Sequence, residues 1–295
     1  MIVTRRGGAL QLVEQVEHGR IAGELAGAWG NAAFEVPTPL HSVRTAAARH
    51  DEGWRAWDAR VLFDEAERRP LHFTDIDAGE HVRLYRQGVE QVSLADLYSG
   101  VLVGMHWTGL YRGRWAAPGA AARVGRSAED RRLQDEVVAA EELRWIDAKR
   151  RAWTSDEPRS VFETQLWHNY ELLQFWDLLS LYLAVTPPDE PGTVGAAPQP
   201  WGPQLRRLEH GTGPVVLPPV PLRPGGERVA VTVSARAPGT AALDPFPFRA
   251  PQEVAVERVV VPDREWSHAE LADRVRRARR STVSWRLVPA DGVQR

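Results

Sequence analysis

The stretch TAAARHDEGW, residues 45–54, decides how the rest of the chain is read. Its alanines favour helix, and Gly53 is a helix stop. HSVRTAAARHDEG therefore predicts a helix that ends in His50 and Asp51 side by side. An imidazole next to a carboxylate at a helix end either faces water or aims two ligands at one metal ion. Which of the two holds depends on what the remaining residues can bring to that point.

Composition narrows the chemistry. The 295 residues include no cysteine, which excludes disulfides, thiolate metal sites and cysteine nucleophiles together. Any metal must then be held by His and carboxylate, a donor set suited to iron, manganese, magnesium or zinc. The formal net charge of −2 offers no electrostatic reason to expect nucleic acid or an anionic membrane as partner. Lys149 is the only lysine, so lysine-based chemistry has almost no candidates. MIVTRRGGAL at the N-terminus has no apolar signal core, and no run reaches about 18 apolar residues. A cytoplasmic protein with no membrane segment is the expectation.

Periodicity divides the chain in two. Residues 1–188 read as mainly helical. LQLVEQVEHGRIAGELAGAWG opens with a short alternating segment and continues as a helix with His18, Ile21, Ala22, Leu25 and Trp29 on one stripe. Further helices are expected over HVRLYRQGVEQVS, SLADLYSGVLVGMHWTGLY and AEDRRLQDEVVAAEELRWIDAKRRAW. SVFETQLWHNYELLQFWDLLSLYLAV is the most apolar and is expected at the centre. The stretch TPPDEPGTVGAAPQPWGP reads as a linker. Beyond it RVAVTVSARA, QEVAVERVVVP and TVSWRLVPA alternate like strands, with one helix, SHAELADRVRRARR, among them. Residues 189–295 are thus expected to form the linker and a small β-rich appendage.

Three polar residues fall on apolar stripes. His18 shares a face with Ile21, Ala22 and Leu25, and His106 with Leu102, Val103 and Leu110. Asp177 lies in LLQFWDLLSLYLA, between Leu173 and Leu181 at helical spacing. A buried carboxylate in such surroundings costs several kcal/mol unless it is paired or metal-bound. A lone buried His is ordinarily a hydrogen-bonded core residue. These three with His50–Asp51 make a pattern.

The order of EHGRIAGELA, AAARHDEGW and FWDLLSLYLA resembles the HD superfamily of metal-dependent phosphohydrolases. In that superfamily a His on the first helix, an adjacent His–Asp pair and a late Asp converge inside a helical bundle. The resemblance implies a mainly α, HD-like bundle, α+β overall with its small C-terminal β portion. It also implies His18, His50, Asp51 and Asp177 as ligands. Asp51 would bridge if two ions were present, and His106 would be the added ligand of dinuclear members. Trp54 stands where many of these phosphohydrolases have Lys. The whole chain is also similar to an uncharacterised bacterial family with related MIV starts and HDEGW, HWTGLY and QFWDLLSLYLA segments.

Around these positions stand residues suited to a second layer. Gln174 and Tyr170 share the Asp177 face, whereas His168, nine residues before Asp177, is half a turn out of phase. Gln174 either orients Asp177 or simply packs. Glu52 is either a surface residue or a proton acceptor. Trp54, Trp57, Trp107, Trp167 and Trp176 either fill core or wall a ligand pocket. WRAWDARVLFDEAERRPLHF (54–73) is either a lid, with Arg55 or Arg60 clamping an anion, or a solvated connection.

The function expected is a metal-dependent hydrolase of a phosphoester, a small-molecule substrate, with Asp51 also assisting the attacking water. A di-iron oxygenase of the HD fold and a non-catalytic metabolite-binding protein with a Trp-lined pocket are the alternatives. An oligomer is compatible with everything above.

Overall fold

The computed structural model describes residues 1–113, 127–154, 156–186 and 214–290. The linker stretch 186–203 lies, apart from Thr186, outside the described residues, as does the 188/189 boundary.

The chain opens with a hairpin, β1 (Ile2–Arg6) and β2 (Ala9–Val13). Its turn is Gly7–Gly8, both at positive φ (53° and 73°), the backbone a tight two-residue hairpin turn requires. Next come α1 (Gln15–Ala28), α2 (Leu40–Arg49) and the short α3 (Arg55–Asp58). A two-strand ribbon, β3 (Phe63–Asp64) and β4 (Arg69–Pro70), leads to α4 (Ala78–Ala95) and α5 (Leu97–Arg112). Asp96 separates the last two and caps the Ser99 amide. Two long helices follow, α6 (Ala128–Ala152) and α7 (Arg159–Val185). From Phe175 to Val185 every α7 residue is buried, in keeping with a central position.

The C-terminal region supplies β5 (Val215–Val216), β6 (Val220–Pro221), β7 (Arg228–Val229), β8 (Thr232–Ala237), β9 (Thr240–Asp244) and β10 (Gln252–Pro262). It ends with α8 (His268–Arg277) and β11 (Ser281–Pro289). Seven strands form one mixed sheet in the order β1-β2-β10-β11-β9-β8-β5. All its neighbours are antiparallel except β11 and β9, which pair Arg286 with Thr240 through Pro289 with Leu243.

This sheet overturns the expectation of a mainly helical HD-like bundle with a small β portion. The physical reason sits at both ends of the chain. The N-terminal hairpin joins the C-terminal strands through β2 and β10, pairing Leu12 with Val259 and Leu10 with Val261. Met1, Val3, Leu10, Leu12, Val259, Val261, Trp266 and Leu271 then bury a core of their own. The alternation ahead of α1 was thus half of a hairpin, and RRGGA was its turn signal.

The alanines of α2 have a packing role. A Cβ on Gly23 of α1 would come 2.6 Å from the Ala48 Cβ, and one on Gly19 would come 3.0 Å from the Ala48 carbonyl oxygen. Ala46 and Ala47 are fully buried. Small residues on both helices let α1 and α2 approach closely, and that approach brings His18 toward His50. No described helix is long and apolar enough to cross a membrane.

Candidate metal centre

Four elements converge on one buried point. α1 brings His18, the end of α2 brings His50 and Asp51, α5 brings His106 and α7 brings Asp177. All five are buried, none more than 4% exposed. Donor atoms of His18, His50 and Asp51 lie within 4.8 Å of one another, and so do those of His50, His106 and Asp177. The two groups share His50. Residues 159 positions apart in sequence thus meet in one cluster.

The hydrogen bonds fix which nitrogens are available. His50 Nδ1 is 2.8 Å from the Ala47 carbonyl oxygen, which can only accept, so Nδ1 carries the proton. His50 Nε2 makes no hydrogen bond and stands 3.5 Å from Asp177 Oδ1 and 3.8 Å from Asp51 Oδ2. Ser180 donates its hydroxyl proton to the Asp177 carbonyl oxygen at 2.7 Å. Its Oγ is therefore an acceptor for His18 Nδ1 at 3.0 Å. His18 Nε2 then faces Asp51 Oδ2 at 2.9 Å. In each neutral imidazole, the nitrogen turned to the carboxylates bears a lone pair. Two lone pairs against two carboxylates repel one another unless a proton or a metal cation lies among them.

Electrostatics agree with that geometry. Burial opposes a charge on His50, but Asp51 and Asp177 outweigh it and push its pKa up to about 9. Burial likewise opposes ionisation of Asp51, yet His50 and His18 hold it well below the usual carboxylate range. Asp177 is lowered against burial by His50 and His106. Burial, with His50 beside it, lowers His106 to about 4, so it is neutral at pH 7. Its Nδ1 is buried with no hydrogen-bond partner. Without a metal, the cluster draws its positive charge as a proton on His50.

Several supporting residues escaped the sequence reading. Tyr85 on α4 donates to Asp51 Oδ1 at 2.6 Å, and Gln15 Nε2 donates to Asp51 Oδ2 at 3.2 Å. Burial and the adjoining Asp51 raise the Tyr85 pKa well above the tyrosine range, so it remains a donor. The Gln15 backbone N–H donates to Asp58 Oδ2 at 2.5 Å, which anchors the start of α1. His81, one turn before Tyr85, meets the Tyr111 hydroxyl at 2.5 Å, and burial lowers its pKa to about 3. Signals for two of them were present: Ser180 is a polar residue within LLSLYLA, and Gln15 precedes His18 by three positions, on one helix face. Tyr85 and His81 share a face of α4, but nothing in the sequence ties that face to Asp51.

Of the other candidates, Trp54 packs edge-on to His81 and Tyr85 at 5.8 and 6.2 Å, and Trp107 stacks on Tyr85 at 6.1 Å. Those two indoles border the cluster through Tyr85. Trp57 packs on Trp54, and Trp176 on Trp29. Trp167 is 37% exposed and meets Tyr170 edge-on at 5.6 Å. Gln174 is half-buried, unlike the five cluster residues. Arg55 and Arg60 project outward to Glu52 and Glu80, and Glu52 is bracketed by Arg55 and Arg49. His168 is buried but is not among the clustered donors.

The family model described as "Protein of unknown function (DUF3891)" matches residues 1–263. No curated protein and no solved structure matches the chain. The likeness to the HD superfamily finds no support in these comparisons, and the seven-stranded sheet is foreign to the helical bundle it implied. With the matched region spanning most of its length, the chain belongs to the DUF3891 family of proteins of unknown function.

Proposed function

We propose that this protein is a metal-dependent hydrolase of a phosphoester, with one divalent ion held among His18, His50, His106, Asp51 and Asp177. The observation that carries the reading is the commitment of both Nδ1 atoms, to Ser180 and to Ala47, which turns both Nε2 atoms toward two buried carboxylates. Metal-ligating histidines are held in this way by outer partners. The charge supports one ion rather than two. Three neutral imidazoles and two carboxylates carry −2, which one divalent cation balances. His50 belongs to both donor groups yet has only Nε2 to give. Two ions would have to compete for it.

A bound divalent ion supplies Lewis acidity toward a phosphoryl oxygen and makes the water it binds acidic near neutral pH. The chain's own residues orient and hold charge. Asp51 accepts from Gln15 and Tyr85, which takes two of its roughly four lone-pair positions. The others are left for the ion, which would lie between Asp51 and the bare Nε2 of His18, and for the attacking water. His106, neutral and with a free Nδ1, is the nitrogen able to take a proton or to complete the ligand set.

Elemental analysis after loading with manganese, iron, zinc or magnesium tests the centre. One equivalent per chain is expected, with loss of the ion in Asp51→Ala. No bound metal in the wild type, or unchanged content in the variant, overturns the reading. A screen of phosphoesters on the loaded protein then tests the substrate class.

A second reading rests on His50, His106 and Asp177 alone. Two histidines and one carboxylate with open positions are the ligand pattern of non-haem iron oxygenases. Anaerobic iron loading with Mössbauer spectroscopy, followed by exposure to oxygen, separates the readings. An iron centre that stays ferrous in air and consumes no oxygen excludes the oxygenase.

A further inference from the structure

The long helix α6 carries two faces. Gln134, Val137, Val138, Glu141, Trp145 and Ala148 are buried, on the side toward α5 and α4. At 100° per residue the opposite line is Arg132, Glu136, Ala139, Leu143, Ile146 and Arg150. All six are exposed, Leu143 at 68% and Ile146 at 59%. Their spacing alternates between four and three residues, the seam along which two helices pack knobs into holes. Single exposed hydrophobic residues need no explanation. Leucine and isoleucine one turn apart, in line with an alanine and with the adjacent Ala140, form a strip that a second helix fits.

Charge says which helix. Asp135 and Glu136 are acidic and exposed on one side of Leu143, and Arg150 and Arg151 are basic and exposed on the other. We propose that α6 pairs antiparallel with α6 of a second copy of this chain, about a twofold axis through Leu143. Each residue then lies level with the one equally far beyond Leu143, and those within about 20° of the Leu143 line meet across the seam. Glu136 thus faces Arg150 of the partner subunit. Ala139 makes room for Ile146 of the partner subunit, and the two Leu143 side chains meet on the axis. Parallel pairing in register would instead set Glu136 on Glu136 and Arg150 on Arg150. Such an isologous contact closes on itself and gives a dimer, not a filament.

Because the chain has no cysteine, one introduced thiol reports the geometry directly. Leu143→Cys is expected to form a disulfide-linked dimer on mild oxidation, since the axis brings the two Cα atoms within bridging distance. Ala139→Cys is expected to stay uncrosslinked. Antiparallel pairing separates its two copies by eight residues, about 12 Å along the helix, beyond the roughly 7 Å a disulfide spans. Sedimentation velocity of the wild type should give twice the monomer mass, and Leu143→Glu should give a monomer with an unchanged circular dichroism spectrum. Glu136→Arg should weaken the dimer, and the double exchange Glu136→Arg with Arg150→Glu should restore it. A monomeric wild type at its highest soluble concentration, a dimer that survives Leu143→Glu, or equal crosslinking at positions 139 and 143 overturns the proposal.

Discussion

His18 Nε2 approaches Asp51 Oδ2 to 2.9 Å while its other ring nitrogen is already engaged by Ser180 at 3.0 Å. The serine is therefore more than packing. It decides which nitrogen of His18 holds the proton and which is bare. Ser180→Ala removes that choice and leaves the ring free to place its proton toward Asp51. The expected result is a metal affinity lower by roughly 10- to 100-fold, the usual effect of losing an outer partner of a ligand. Competition with a chromophoric chelator measures it. An affinity unchanged within threefold would show that Ser180 does not set the tautomer.

Tyr85 acts on the other carboxylate oxygen. Its hydroxyl is buried and donates to Asp51 Oδ1 at 2.6 Å. Tyr85→Phe keeps the ring between Trp54 and Trp107 and removes only the donor. A charged acceptor is then left short of a partner, at a cost of about 1–3 kcal/mol. Urea denaturation of the metal-free protein should show that loss with an unchanged slope. No change in midpoint would mean that water or another donor replaces the hydroxyl.

The pH dependence of the metal-free protein follows from opposed shifts. His50 is raised from 6.5 to about 9, so between those values the folded state binds a proton that the unfolded state has released. Its contribution is complete below pH 6.5 and is lost as pH rises toward 9. His106 and His81 are lowered to about 4 and about 3. Below pH 6.5 the unfolded chain takes up protons that these two refuse, so stability falls with acid, by about 1.4 kcal/mol per pH unit for each group. Stability should peak near pH 6.5. A bound metal ion replaces the His50 proton, so the alkaline limb should flatten on loading. Melting temperatures across pH 5–9, with and without metal, check both limbs. An alkaline limb that persists unchanged after loading would place the ion away from His50.

The cluster was more legible in the sequence than the fold that holds it. His18, His106 and Asp177 announced themselves because each is polar on an otherwise apolar helical stripe, and helical periodicity is a local property. Which of them touch is not local, and it follows from the close approach of α1 and α2 over Gly19, Gly23 and Ala48. The sheet was misjudged because its strands come from both ends of the chain. Val259 and Leu12 pair across some 250 positions, and no local pattern reports such a partner. Tyr85 and His81 were missed for the same reason. Their helix looks like any amphipathic helix until Asp51 is placed against it.

Gly53 lies in the same TAAARHDEGW stretch as His50 and Asp51. It follows His50 and Asp51 in a 3₁₀ turn, Glu52–Trp54, pressed against α4. A Cβ there would lie 1.9 Å from the Leu84 carbonyl oxygen and 2.7 Å from its carbon, both backbone atoms that cannot rotate away. Gly88 faces the same contact, where a Cβ would come 2.9 Å from the Gly53 nitrogen. Gly53→Ala must therefore push α4 outward, and Leu84 immediately precedes Tyr85. The displacement separates Tyr85 from Asp51, so one methyl group should lower stability by about 1–3 kcal/mol and weaken metal binding as well. Serine at position 53 should behave like alanine, because the clash is with Cβ and not with polarity. Both variants are checked by melting temperature and chelator competition. A variant that loses stability but binds metal with wild-type affinity would show that α4 does not position Asp51.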